Sequence, residues 1–384
     1  SNFIVTKIDP IEPVIELEIG NKIQLGYDQK VPTYYKETLS GTTVECKAGN
    51  TVITNLNELE EGKHKIICRA TTGAGKKAIV EKDIKVIDMT DFEADSLLEA
   101  ISNEDMPTGK YTIKVKDETY PVHMITLDGN QHFTENKIFG DAADVATAST
   151  YAQNMVIVKV NGDLVVDEGV TVSPYYDKNY GGPKGFTLYV TGKLTNKGTI
   201  DNSHGARAEG QNVYLWKNID GTYEYVPAVG GSGGASVLQS GGQKGQDGSK
   251  IGKRGTGGGG SGSSKDSGTP SGAGSAGTSY SGGTGGGGSS GYQSTSGSAN
   301  GMAGGIGSNS YIGTTAGGGA GNPGGIGEGA GTLKGGTGGN GTGGLLTIYA
   351  NEYENAGTIS AKGTGGGGGS YSGGSSGGGS INIF

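Results

Sequence analysis

Among 384 residues there is a single tryptophan, Trp216, with two cysteines and four histidines. No run of about 18 apolar residues occurs, so no segment reads as a membrane-spanning helix. Cations are not in excess: 30 Lys and Arg stand against 38 Asp and Glu, a net charge of −8. Nucleic acid is thereby excluded as the main partner, because phosphate binding needs clustered Lys and Arg. The charge favours solubility and points to no particular ligand. Hydrophobic residues make up 32%, and the shortage falls mainly in the second half. No secretory signal is visible; Ser1-Asn2-Phe3 reads as a mature terminus whose targeting segment has been removed.

Signs of chemistry are equally sparse. His64, His123, His132 and His204 lie at no spacing that suits a metal with Cys or a second His. His123 and His132, on an expected strand–turn–strand, come nearest to one, and His64 reads as a sheet-face residue. No Ser-His-Asp or Cys-His arrangement is legible. Gly73-Ala74-Gly75-Lys76-Lys77 is similar to a phosphate-binding loop but fails it, with Ala70 at the first glycine position and Lys77 where Ser or Thr must reach Mg²⁺. Two carboxylate pairs, Asp141 with Asp144 and Asp201 with Glu209, would suit a glycan-cleaving β-helix. Exposed loops carry such pairs by default, so the chain reads as a non-enzyme with no catalytic residue, cofactor or metal.

What is abundant is glycine, 80 residues of it, about three times the average share. Glycine loses the most backbone entropy on folding. Such a chain needs a repetitive source of order, or part of it stays disordered.

Residues 1–88 read as a small β-sandwich. Alternating runs such as Val14–Ile19, Lys22–Leu25, Lys65–Cys68 and Ile84–Ile87 are separated by Gly20-Asn21, Gly49-Asn50 and Gly73-Ala74-Gly75. The segment Glu45-Cys46-Lys47-Ala48-Gly49-Asn50, followed by Leu59-Glu60-Glu61-Gly62-Lys63-His64-Lys65-Ile66-Ile67-Cys68-Arg69-Ala70-Thr71, resembles bacterial Ig-like repeats of the hyalin type. Modules of that kind serve as spacers or stalks. The resemblance implies a disulfide between Cys46 and Cys68 in an oxidising compartment; two buried free thiols are the alternative. The tryptophan of an antibody-type core is missing.

A short helical connector is expected over 89–109. Thr90 and Glu93 fit a capping box, and Leu97, Leu98 and Ile101 form one apolar stripe. From about 110 to 227 the β character returns. Val156–Leu164, Thr187–Leu194 and Leu346–Tyr353 each read as an alternating strand, a turn and a second short strand. They lead to Gly169-Val170-Thr171, Gly198-Thr199-Ile200 and Gly357-Thr358-Ile359. Ile381–Phe384 adds a further strand, and 345–384 close the scaffold. Self-similarity at a period of about 30–35 residues is the mark of a β-solenoid, each turn stacking its apolar residues on the next. A meandering sandwich is the competing reading.

Between these repeats lies a glycine-rich insertion, 228–344, with runs such as Gly257–Gly260 and Gly285–Gly288. It has no Gly-X-Y period, which excludes collagen. It reads either as a flexible linker or as a bundle of polyproline-II-type polyglycine helices, whose backbone groups must pair with neighbouring helices. Ile251, Met302, Ile306, Ile312, Ile326 and Leu333 favour the bundle. Tyr280, Tyr292, Tyr311 and Tyr371 would line exposed glycine-rich faces. The composition continues at Gly365–Gly369.

The most suggestive surface feature is aromatic. Val213–Val226 reads as a β-hairpin with an Asp220-Gly221 turn that presents Tyr214, Trp216, Tyr223 and Tyr225. Such residues give large contact area at low entropy cost. They are either a partner-binding surface or a cover for the end of the glycine-rich module. Tyr175, Tyr176, Tyr180 and Phe186 form a second group.

Gly181–Phe186, Gln211–Trp216 and Gly343–Ala350 together resemble glycine-rich surface or prophage tail proteins of Gram-positive bacteria. That resemblance implies a secreted, cell-surface or virion-tail location. The expectation is an extracellular structural or adhesion protein meeting a cell-surface glycan or protein receptor, without nucleic acid and without a membrane span. A phage receptor-binding subunit, a self-assembling filament subunit and a glycan-cleaving β-helix are the alternatives.

Overall fold

A computed structural model describes residues 11–36, 41–147, 150, 152–177, 180–205, 213–226, 250–251, 254–255, 343–363 and 377–384. The protein is mainly β, and no helix among the described residues is long and apolar enough to cross a membrane. The chain divides into two compact units. The first comprises 1–90, 104–110 and 125–128, and the second 91–103, 111–124 and 129–384. The segment expected as a connector is thus shared between them.

The first unit contains β1 (Val14–Glu16), β2 (Lys22–Gln24), β3 (Tyr34–Lys36), β4 (Thr43–Ala48), β5 (Thr51–Ile53), β6 (Gly62–Thr71) and β7 (Lys77–Ile87). A five-stranded sheet runs in the order β2-β7-β6-β4-β5, and β1 pairs with β3. Strand alternation sets the two faces: Ile66, Cys68 and Ala70 of β6 are buried, while Lys63, Lys65 and Arg69, at the alternate positions of the strand, are exposed. Ile23, Leu56, Ile84 and Val86 join the same core. A one-turn helix, Leu56–Glu58, starts at a capping box in which Asn55 Oδ1 accepts from the Asn57 amide and Glu58 Oε1 from the Asn55 amide. Cys46 and Cys68 lie opposite one another in the β4–β6 register, Cα atoms 4.0 Å apart, and are joined by a disulfide. The bond ties neighbouring strands of one sheet.

The second unit opens with β8 (Asp91–Glu93) and α1 (Leu97–Ser102). The expected cap at Thr90 and Glu93 is not formed, because Asp91–Glu93 pair in parallel with the following strand. The helix is capped by Ser96, whose Oγ accepts from the Glu99 amide. The expected stripe of Leu97, Leu98 and Ile101 is buried. The strands that follow are β9 (Gly109–Val115) and β10 (Glu118–Asp128), whose residues 109–110 and 125–128 belong to the first unit, then β11 (Gln131–Phe133), β12 (Lys137–Phe139), β13 (Met155–Asn161), β14 (Leu164–Val166), β15 (Thr171–Pro174), β16 (Phe186–Asn196), β17 (Thr199–Asp201), β18 (Val213–Lys217) and β19 (Tyr223–Val226). The last are β20 (Lys250–Ile251), β21 (Arg254–Gly255), β22 (Leu345–Asn355), β23 (Thr358–Ser360) and β24 (Ser380–Ile383).

Three parallel ladders organise these strands. β13, the first half of β16, β22 and β24 form one. β11, β14, the second half of β16 and that of β22 form another. β12, β15, β17 and β23 form the third. Three passes of the chain, β13–β15, β16–β17 and β22–β23, therefore contribute to all three ladders, and equivalent residues stack. Apolar columns run through Val156, Phe186 and Leu346, and through Val158, Leu188 and Ile348, all buried. Tyr189 stacks on Tyr349 at 4.6 Å and 7°, near the usual strand separation. Asn196 donates from Nδ2 to Asn355 Oδ1 at 2.8 Å. Buried Lys159 heads the tyrosine column and donates to the Ser102 and Asn103 carbonyls, which α1 leaves without intrahelical partners.

The corners between strands explain why glycine recurs there. Asn130 Oδ1 accepts from the Asp163 amide, and Asp163 Oδ1 from the Lys193 amide. A Cβ on Gly162 or Gly192 would fall 2.7 Å from Asn130 Oδ1 or 2.1 Å from Asp163 Oδ1. Each corner glycine leaves the space through which the side chain below reaches the amide above. At the next corner a Cβ on Gly198 would meet Val170 O at 2.3 Å, and one on Gly357 would meet Gly198 O at 2.1 Å. Gly198 therefore lies over Val170, one residue from the Gly169 alignment expected. The insertion 228–344 and its expected polyglycine helices lie outside the described residues, apart from 250–251, 254–255 and 343–344. The same holds for Gly365–Gly369 and for Tyr280, Tyr292, Tyr311 and Tyr371.

Candidate functional site

The aromatic hairpin is formed by β18 and β19, with a turn closed by hydrogen bonds from Asn218 N to Thr222 O and from Gly221 N to Asn218 O. Asp220 Oδ1 accepts from both the amide and the hydroxyl of Thr222. Gly221 has φ +82°, a conformation that suits glycine at this position. Val213 and Leu215 are buried, and a register shift between Tyr214 and Trp216 accompanies their alternation with the outward residues. The hairpin packs on α1. It is fixed near its base by the Tyr214 amide donating to Tyr120 Oη at 3.0 Å, and beside its turn by Lys217 Nζ on Asp95 at 2.6 Å. Burial pushes the Tyr120 phenol well above its ordinary pKa, so it stays protonated.

The outward residues divide into two groups. Tyr214 and Tyr223 meet at 5.1 Å, inclined by 59°, and Lys116 Nζ lies 4.7 and 4.4 Å from the two ring centres. That ammonium–aromatic contact orders the pair, and Lys116 holds it from a turn with φ +55°. Towards the tip Trp216 is 44% exposed and Ile219 fully exposed. Tyr225 lies opposite Tyr214 in the backbone register, and its side chain is outside the description. Of the four expected contact residues, two are thus engaged with Lys116, and Trp216 faces outward with Ile219, which the aromatic signal overlooked.

The other candidates are dispersed. His123 Nδ1 contacts Asp144 Oδ2 at 2.7 Å, and both side chains are buried. Asp144 also accepts from the Asp141 amide at 2.7 Å and from Asn154 Nδ2 at 2.7 Å. Burial raises the Asp144 carboxyl, and the hydrogen bonds, led by His123, more than offset this, so its pKa lies below the ordinary value. A ligand atom from each of His123, Asp141 and Asp144 lies within 4.8 Å of the others. The acceptor positions of Asp144 are engaged by N–H donors, and the group works as a clasp on the loop before β13. His132 pairs with Asp167 at 2.9 Å, on adjacent passes of the chain. Asp201 accepts from Ser203, and Glu209 lies outside the described residues. His64 Nε2 contacts the Glu60 carbonyl.

The second aromatic group does not converge either. Phe186 is buried in an apolar column, while Tyr176 stacks on His204 at 3.6 Å. Burial holds the His204 pKa below its ordinary value, against the pull of Asp201.

The chain matches no family model, no curated protein and no solved structure.

Proposed function

We propose that this chain is a non-catalytic structural and adhesion protein of the cell exterior, and that the tip of the β18–β19 hairpin is its partner-binding surface. The observation that carries the reading is the pairing of an exposed Trp216 and Ile219 with a strand, β18, anchored on either side of Trp216 through Tyr214 and Lys217. Anchoring lowers the entropy cost of presenting large side chains to a receptor. The scaffold is a β-solenoid built from the three parallel ladders, following an Ig-like stalk. The insertion is a polyglycine helix module between two of its turns. The partner is a cell-surface glycan or protein, and in a virion-tail setting the same tip meets the host receptor.

The test is binding of the full chain to arrays of cell-surface glycans and to intact Gram-positive cells, with W216A/I219S beside the parent. Binding should weaken about tenfold or more, a loss of at least 1.4 kcal/mol, with unchanged melting. Equal binding by both proteins sinks the assignment. For the insertion, amide exchange complete within seconds across 228–344 would leave a linker in place of the module.

One observation favours self-assembly as a second reading. β24 ends its ladder with Ile381 and Ile383, each 39% exposed, in line with Leu346 and Ile348. A strand from another copy would continue those columns. Concentration-dependent polymers by electron microscopy, lost in I381D/I383D, are the expected result.

A further inference from the structure

The outer face of the five-stranded sheet in the first unit carries its charges in rows set by the strand register. Glu45 lies beside Arg69, and Lys65 faces Asp83. Lys47 and Glu81 flank Ile67. In each of these rows opposite charges balance. The row at the β2 end differs, for Lys22 lies beside Lys85, and Lys85 faces Lys63. Like charges directly opposed across strands work against pairing.

One carboxylate serves that row. Asp105 receives Lys22 Nζ at 2.8 Å, and this hydrogen bond, with the charges of Lys22 and Lys85, holds its pKa below the ordinary value. Lys65 is turned to Glu81 at 2.7 Å. Among the described residues no ion pair involves Lys63 or Lys85. Both line a groove of about 500 Å³ together with Asn21, His64, Lys65 and Asp83. In a protein of net charge −8, Lys63 and Lys85 thus stand side by side in a groove in which Asp83 is the one carboxylate of the lining.

We propose that this groove binds an oxyanion of the phosphate or sulfate type, with Lys63 and Lys85 in direct contact. The anion removes the like-charge penalty that the register imposes. The ligand is a free ion or the same group repeated along a linear polymer. This assignment is independent of the hairpin and of the scaffold reading.

The experiment titrates inorganic phosphate and, separately, linear polyphosphate into the full chain at low salt by calorimetry. The parent is compared with Lys63→Gln/Lys85→Gln. A control, Lys76→Gln/Lys77→Gln, makes the same charge change at the far end of β7. The parent should bind, and the groove variant should bind about tenfold or more weakly, while the control stays within about threefold of the parent. Binding of phosphate alone assigns a single-ion site; binding of polyphosphate only assigns a polymer-borne group. Binding of neither, or equal loss in both variants, overturns the proposal. A second readout needs no ligand affinity: Lys85→Gln should raise the melting temperature at low salt without anion, and the gain should vanish with polyphosphate. Unchanged or lowered melting without anion refutes the like-charge argument.

Discussion

Replacing Gly198 by alanine tests the stacked-corner reading directly. The new Cβ would lie 2.3 Å from Val170 O, 2.4 Å from Asp167 O and 3.0 Å from Val166 Cγ1. Two of these neighbours are backbone, so relief requires one pass of the chain to shift against the next by about an ångström, where ordinary carbon–heavy-atom contact is roughly 3.5–4.0 Å. Val170 O accepts from the Thr199 amide at 2.8 Å, and that bond is strained by the same shift. Overpacking costs about 1–3 kcal/mol, and a weakened hydrogen bond adds about 1 kcal/mol. Against this, Gly→Ala at a compatible site stabilises by about 0.4–1 kcal/mol through the unfolded chain. The net expectation is a loss of about 2–3 kcal/mol, or a fall of roughly 5–10 °C in the second unit's melting transition. Gly378 supplies the control, since a Cβ there meets only Ala361 O at 4.0 Å. Gly378→Ala should be neutral or slightly stabilising. Scanning calorimetry of both variants decides the matter: a Gly198→Ala protein as stable as Gly378→Ala would refute the close stacking of the corners.

Further outcomes follow from the same geometry. Leu215→Ala in the hairpin should cost about 2–5 kcal/mol because Leu215 is buried. Trp216→Ala should stay within about 0.5 kcal/mol by urea denaturation. The Asp144 carboxyl has a folded pKa below its unfolded value. Its contribution is therefore complete above the unfolded pKa of about 3.9 and is lost as pH falls through the lower folded value. Melting curves from pH 7 downward should show the parent losing its advantage over Asp144→Ala in that acid window. C46A/C68A removes a cross-link with a sequence separation of 22 and should destabilise the first unit by about 3 kcal/mol in the chain-entropy model, measured against a parent under non-reducing conditions.

Periodic features were legible in the sequence. The repeated strands and the Asp220-Gly221 turn depend on alternation and local turn chemistry, which a linear reading captures. The alignment of Gly169 with Gly198 failed by one residue because register is set by pairing: Thr171 lies beside Thr199, which puts Val170 beneath the glycine. The helix cap moved from Thr90 to Ser96 for a similar reason, since pairing of β8 with β9 takes precedence over a local capping preference. The His123–Asp144 clasp joins residues 21 apart through tertiary packing, and no spacing rule announces it. The lysine row was hidden as well. Lys22, Lys63 and Lys85 are ordinary surface residues until the order β2-β7-β6 places them side by side.

The hydrogen bond between Asn196 and Asn355 spans 159 residues of chain. The entropy of closing so long an excursion grows only with the logarithm of its length, so doubling or halving it changes stability by about 0.6 kcal/mol. The upper edge of β16 is therefore a dock at which chain can leave and return at nearly constant cost. Duplication or deletion within the glycine-rich stretch 256–342, which leaves the packed hairpin with its buried Val213 and Leu215 intact, should change the length of the excursion far more than the cost of closing it. The cost falls on kinetics, because β22 and β24 must wait for a remote encounter. The final passes are expected to fold last, on a template that the earlier ones have already completed.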